Sequence, residues 1–259
     1  MRFLIPFCRI FEQMSRRKNF LVRILILAFA SGSCGSLWAQ NGAEIIDRHI
    51  AAMGGIDNWN KIKTMVITSS AKTPTNDITL VQTISAGKGM RMDIRYMGIS
   101  GYTIVTPTDG WVYTPFGQGM DRVTKMQPSE VKASQEKLDV KNGLLLDKSI
   151  IAKAEYIGSD SVNTMLCYKV KVTDKAGNVQ TAFFDAATYY MVRVEVKIRS
   201  ADMDQDIFIN YSNFEKQSLG IVYPMALSSQ EGDFTVKAVE LNKPVDENIF
   251  KPNPADLKK

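Results

Sequence analysis

The chain has 259 residues and a formal net charge of +5, yet six of its 32 basic residues and one of its 27 acidic residues fall within the first 40 positions. The chain beyond position 40 is formally neutral, which argues against a nucleic-acid-binding surface. Its length suits one all-β domain, and Cys167, the one cysteine beyond position 40, cannot form an internal disulfide there.

The first segment reads as a secretory leader. Arg16, Arg17 and Lys18 precede a short apolar run from Leu21 to Ala30, and small residues then lead to Leu37-Trp38-Ala39-Gln40. Cleavage is expected after Ala39 or Gln40, so residues 1–40 are read as signal peptide, with Met14 a candidate true start. Arg23 interrupts the apolar run, which is too short for a spanning helix. A lipid anchor at Cys34 is the rival reading, but Ser31 stands where a lipobox wants an aliphatic residue. The expected location is the periplasm, with no transmembrane span in the mature chain.

Residues 43–53 predict a helix with Ile45, Ile46, His49, Ile50, Ala52 and Met53 on one arc. Gly54-Gly55 ends it, and Asp57 is placed to cap a short second helix through Trp59 and Ile62. Strands are then expected over 64–72, 77–86, 90–99, 101–106 and 111–116, with turns at Pro74-Thr75-Asn76 and Pro107-Thr108-Asp109-Gly110. Pro128 to Lys137 predicts a helix with proline in its first turn, and Leu144-Leu145-Leu146 is too apolar for a surface loop. The second half reads as hairpins over 154–158, 165–173, 179–185, 190–199, 207–214, 221–228 and 234–241, with turns at Asp160-Ser161, Gly177-Asn178, Gly220 and Gly232. The clearest strand is 190–199, where Val192, Val194, Val196 and Ile198 alternate with Arg193, Glu195, Lys197 and Arg199. A tail from Asn242 is expected to dock Phe250 through one helical turn.

The fold class expected is mainly β (α+β): a single curved antiparallel sheet of about 11 strands in residues 41–259, forming an incomplete barrel with N-terminal and central helices as lid. That exceeds the roughly eight strands whose side chains fill a barrel, so spare interior volume is expected. On alternation alone, Met90, Met92, Ile94, Tyr96, Tyr168, Val170, Val192, Val194, Val196 and Ile198 are the candidate lumen residues. Ile46, His49, Ile50 and Met53 are the candidate lid residues. A bulge would shift a face by one residue. Eleven methionines beyond Met14, Met90 and Met92 among them, suit an adaptable apolar surface.

Residues for catalysis are sparse. His49 is the one histidine, which excludes a two-histidine zinc site and disfavours a serine triad. Ser129-Glu130-Val131-Lys132 matches S-x-x-K without its companion motifs. Asp202, Asp204 and Asp206 begin like an EF-hand loop, but Ile207 and Asn213 stand where glycine and glutamate belong. No enzyme activity, cofactor or metal is expected.

Four segments resemble the LolA-type outer-membrane lipoprotein carriers: Glu44 to Gly55, Asp109-Gly110-Trp111, Gly220-Ile221-Val222-Tyr223-Pro224, and Leu241 to Phe250. The resemblance implies an incomplete barrel with a helical lid that shields lipoprotein acyl chains across the periplasm, and no catalytic residues. It implies lipoproteins or lipids as cargo, and inner- and outer-membrane proteins as partners of a monomer. Those carriers latch the lid with a buried arginine, which no motif places here. The competing expectation is a regulatory sensor on the same scaffold that binds an envelope signalling protein.

Overall fold

The structure, a computed structural model, describes residues 41–72, 77–117, 122–141, 143–199, 204–230 and 232–258. Helix α1 (Gly42–Ala52) starts at Asn41, whose side-chain oxygen accepts a hydrogen bond from the Ala43 N–H at 3.1 Å. Ile45, Ile46, His49 and Ile50 form its buried stripe and Met53 continues it. On the exposed face Glu44 and Arg48, one turn apart, pair at 2.6 Å. Gly54 and Gly55, at φ of +100° and +80°, end the helix. Helix α2 (Ile56–Asn60) is then capped by the Gly55 position, and Asp57, expected as the cap, lies in its first turn.

Every later strand pairs antiparallel with its neighbours in one unclosed sheet. The first group is β1 (Thr64–Lys72), β2 (Asp77–Ser85), β3 (Gly89–Tyr96), β4 (Ile99–Val105), β5 (Gly110–Tyr113) and β6 (Thr124–Lys125). After helix α3 (Pro128–Ala133) come β7 (Ile151–Val162), β8 (Met165–Asp174), β9 (Val179–Asp185) and β10 (Met191–Arg199). The last are β11 (Asp204–Lys216), β12 (Val222–Ser229) and β13 (Gly232–Leu241). β13 pairs with β1, joining the two halves, and β6 and β7 are left as the edges. The expected incomplete barrel is thus present, with 13 strands among the described residues instead of about 11.

Two turns and one strand register depart from expectation. The strand read over 90–99 breaks at Met97-Gly98, both at positive φ (52° and 76°), the backbone of a two-residue hairpin turn matching strand twist. Asp160-Ser161 is not a turn: β7 runs through it, and Asn163-Thr164 turn the chain at φ of 47° and 70°. At the start of β10, Met191 pairs with Phe184 and Arg193 with the adjacent Phe183, so an extra residue is bulged out.

The two sheet faces carry different cores. One face collects Met65, Ile67, Ile84, Met90, Val170, Val172, Phe184, Val194, Tyr211 and Val236 around α1 and the loop residues Leu138, Val140, Leu144, Leu145 and Leu146. Strands from both halves of the sheet bury residues in this one cluster, so that face is concave. The outer face carries two smaller clusters. Tyr102, Ile104 and Tyr113 lie under Phe250 of the tail, while Val162, Cys167, Phe183 and Val192 pack together farther along. Phe250 sits in a one-turn 3-10 helix (Glu247–Phe250), as the sequence suggested.

Gly54 packs closely against the turn between β11 and β12. A Cβ there would lie 2.3 Å from the Gly220 carbonyl oxygen, and its φ already disfavours a side chain. Gly87, at φ of +70°, has open space where a Cβ would go. Gly54→Ala is expected to lose more than about 2 kcal/mol in urea denaturation, and Gly87→Ala only about 1 kcal/mol of left-handed strain. Equal losses would contradict the close contact.

Candidate functional site

The concave face is covered over only part of its length. Toward one end, α1 and the residue after it place Ile45, Ile46, Ile50 and Met53, all buried, against β-strand residues. The segment after α3 completes that cover with Leu138, Val140, Leu144, Leu145 and Leu146, equally buried. Helix and loop are tied together by polar contacts. Lys148 Nζ lies 2.6 Å from Asp47 Oδ1, and Lys141 Nζ donates to Asn60 Oδ1 at 3.2 Å. The Leu138 carbonyl accepts from Gly87 N–H at 3.1 Å, anchoring the loop to the β2–β3 turn.

Beyond that cover the concave face stays apolar but open. Ile84 pairs with Met65 and Met90, which places Leu80 and Ile78 of β2, and Ile94 and Tyr96 of β3, on the same face by twos. Across the sheet, Val194 pairs with Ile209 and Val196 with Ile207, and Leu227 links Tyr211 to Phe234. These residues are mostly half-buried, and Val196 is 36% exposed. A cleft of about 620 Å³ opens where this trough meets the central loop, between Leu145, Leu146 and Ile150 on one wall and Val172, Gln180 and Val196 on the other. That volume is within the roughly 300–1,000 Å³ of small-molecule sites. Glu136, Asp139, Lys141, Asp147 and Asp174 also line it, so apolar walls and charged groups meet in the one cleft. Hydrogen bonding from Ser149 holds the Asp147 carboxyl below the usual range, with Lys141 adding a smaller contribution. A second hollow of about 490 Å³ lies on the other flank of the loop, beside Trp59, Leu138 and Val140.

His49 is the polar centre of the cover. It has no exposed surface, and its ring lies 5.0 Å from that of Phe184. Nδ1 is 2.9 Å from the Tyr189 carbonyl oxygen and Nε2 is 2.7 Å from that of Leu144. One imidazole therefore holds helix α1 to the β9–β10 turn and to the central loop together. Both partners are acceptors, so a neutral ring donates to one of them. Burial pushes its pKa below the ordinary 6.5, against the smaller opposite pull of the Leu144 and Tyr189 carbonyls.

Of the residues expected in the lumen, Met90, Val170 and Val194 are buried in the concave cluster, and Tyr168 packs on its edge. Ile94, Tyr96 and Val196 line the open trough, while Met92 lies on the same face at 36% exposure. Val192 is a correction: the bulge turns it outward beside Arg193, where it packs with Cys167 and Phe183. The Ile198 side chain lies outside the described residues. Ile46, His49, Ile50 and Met53 all sit in the cover. Missed were Ile207, Ile209, Leu227 and Phe234 of the trough and the loop cation Lys141. Alternation along β11 and β12 carried the signal for the first three.

No family model and no curated protein matches the sequence. Solved structures do match in shape. A LolA superfamily protein from Nitrosomonas europaea aligns with a TM-score of 0.52 at 11% identity, over 83% of this chain and 99% of that one. A domain from Vibrio parahaemolyticus assigned to outer membrane lipoprotein sorting aligns at 0.50 and 14% identity, over 83% and 97%. The fold is LolA-like.

Because burial makes His49 harder to protonate in the native state than in the unfolded chain, its contribution to folding stability is full above about pH 6.5 and falls as pH drops below it. Thermal melts between about pH 7 and pH 5 should show a steeper loss for the native sequence than for His49→Gln, which is less stable throughout. Parallel pH profiles for the two would contradict the assignment.

Proposed function

We propose that this protein carries lipoprotein acyl chains or lipids through the periplasm toward the outer membrane, holding the hydrocarbon in the open half of its concave sheet. The observation that carries this reading is the half-exposed apolar trough, which shares Val196 with the 620 Å³ cleft. A solid core would leave no such surface half-exposed, and exposed apolar stretches of this kind mark binding sites. The LolA-like fold supports the same role. Residues 1–40 act as its export leader, removed after Ala39 or Gln40, and residues 41–259 form the carrier domain.

Magnitudes favour hydrocarbon as the occupant. An acyl chain of about sixteen carbons, at about 0.8 kcal/mol per buried CH₂, gains on the order of 12 kcal/mol on leaving water. Displacing the loop leucines exposes three side chains worth about 1.5–3 kcal/mol each. A ligand can therefore offset partial opening of the cover and still bind. In this role Ile46, Ile50 and Met53 form the lid, His49 joins it to the loop, and Ile94, Tyr96, Val194 and Val196 contact the chain. His49 meets a main-chain carbonyl at each nitrogen, so it is committed to holding the lid and the protein binds without turnover.

Native mass spectrometry of the exported protein tests the proposal. The native sequence is expected to retain an acyl lipid. Val196→Asp, a change at a partly exposed wall position, is expected to remain folded and lose the lipid at least about tenfold. A bare native protein that is also indifferent to added acyl probes would overturn the reading.

A further inference from the structure

The two pieces of the cover are held in different ways. Helix α1 is pressed onto the sheet at both ends. A Cβ at Gly42 would lie 2.6 Å from the Ala154 carbonyl oxygen of β7, so the helix starts against that strand's backbone. At the other end the Met53 carbonyl accepts from the Val222 N–H at 3.0 Å and from the Trp59 indole N–H at 2.9 Å. Shifting the helix would break these buried main-chain bonds and the close backbone packing together.

The leucine turn, Gly143 to Leu146, is held by its side chains instead. Among the described residues no main-chain hydrogen bond joins it to a strand. The Tyr211 hydroxyl reaches it from β11 at 3.5 Å from the Gly143 carbonyl, the weak limit of a hydrogen bond. Leu145 sits at φ of 52°, a left-handed conformation that disfavours leucine. What keeps the turn in place is burial of Leu144, Leu145 and Leu146 in the concave cluster. There is also space beside it. Gly143, Leu145 and Leu146 wall the 620 Å³ cleft, and Leu138, Asp139, Val140 and Lys141, just before the turn, border the 490 Å³ hollow.

We propose that the turn Gly143–Leu146 is a built-in hydrophobic plug that competes with the acyl chain for the concave face, leaving that face when a chain enters while helix α1 stays docked. This rests on the carrier reading above and names which half of the cover yields. His49 suits such a division. A neutral imidazole has one N–H for the two carbonyls it faces. With that proton on Nδ1, the bond to the Tyr189 carbonyl persists, and the Leu144 carbonyl leaves Nε2 without orphaning a donor. The plug and the ligand are alike in chemistry, so hydrocarbon replaces leucine against the same apolar residues.

The test loads the native protein with monopalmitoylglycerol, a neutral single-chain lipid, and follows methyl–methyl NOEs. Those from Leu144, Leu145 and Leu146 to sheet residues are expected to vanish at saturation, while those from Ile45, Ile46 and Ile50 persist. L146A, which weakens the plug's hold on the sheet, is expected to bind the probe about tenfold more tightly than the native protein. Leucine NOEs that persist with the probe bound, isoleucine NOEs lost together with them, or an L146A affinity no tighter than native would each overturn the plug. Failure of the native protein to bind the probe at all would instead remove the carrier reading on which it rests.

Discussion

The structure turns on covering one apolar sheet face. Strands that alternate valine and isoleucine with charged residues cannot leave the dry side in water, and a 13-strand sheet has more of it than its own side chains fill. The chain answers with two separate pieces, helix α1 before the sheet and the leucine-rich loop between β6 and β7. Together they shield Met65, Met90, Phe184 and Val194 and stop short of Ile78, Ile94, Leu227 and Ile207. The uncovered remainder is where hydrocarbon can be held.

The cover is well anchored and locally removable. Its apolar contacts are complete, yet the ties that fix loop to helix are few and mostly at the surface. The Lys148–Asp47 pair has both side chains about half exposed, and exposed pairs contribute at most about 1 kcal/mol. His49 is the exception, buried and bound to carbonyls on two different segments. One side chain thus couples the position of α1 to that of the loop, so movement of either piece must break a contact of the other.

Most of the fold was legible because its signals are local. Period-two alternation located nearly every strand, the stripe Ile45, Ile46, His49, Ile50 located α1, and the run Leu144-Leu145-Leu146 marked the loop as buried. What failed depended on one-residue backbone events. Met97 is not a turn residue by type, yet it adopts positive φ beside Gly98. The bulge before Val194 sends Val192 to the outer cluster, a shift that no pattern of valines reveals. The site was less legible than the fold. Alternation separates faces, but whether a concave residue lies under the cover, like Met90, or in the open trough, like Ile94, depends on where a distant helix and loop come to rest.

The central claim is that hydrocarbon lies against the concave face beyond the cover, and methyl-resolved NMR with a spin-labelled stearate tests it directly. The account predicts strong broadening of the Ile94, Ile207, Ile209 and Leu227 methyls, with Val162 and Val192 of the outer cluster unaffected. Broadening confined to the outer face, or none at saturating probe, would contradict it.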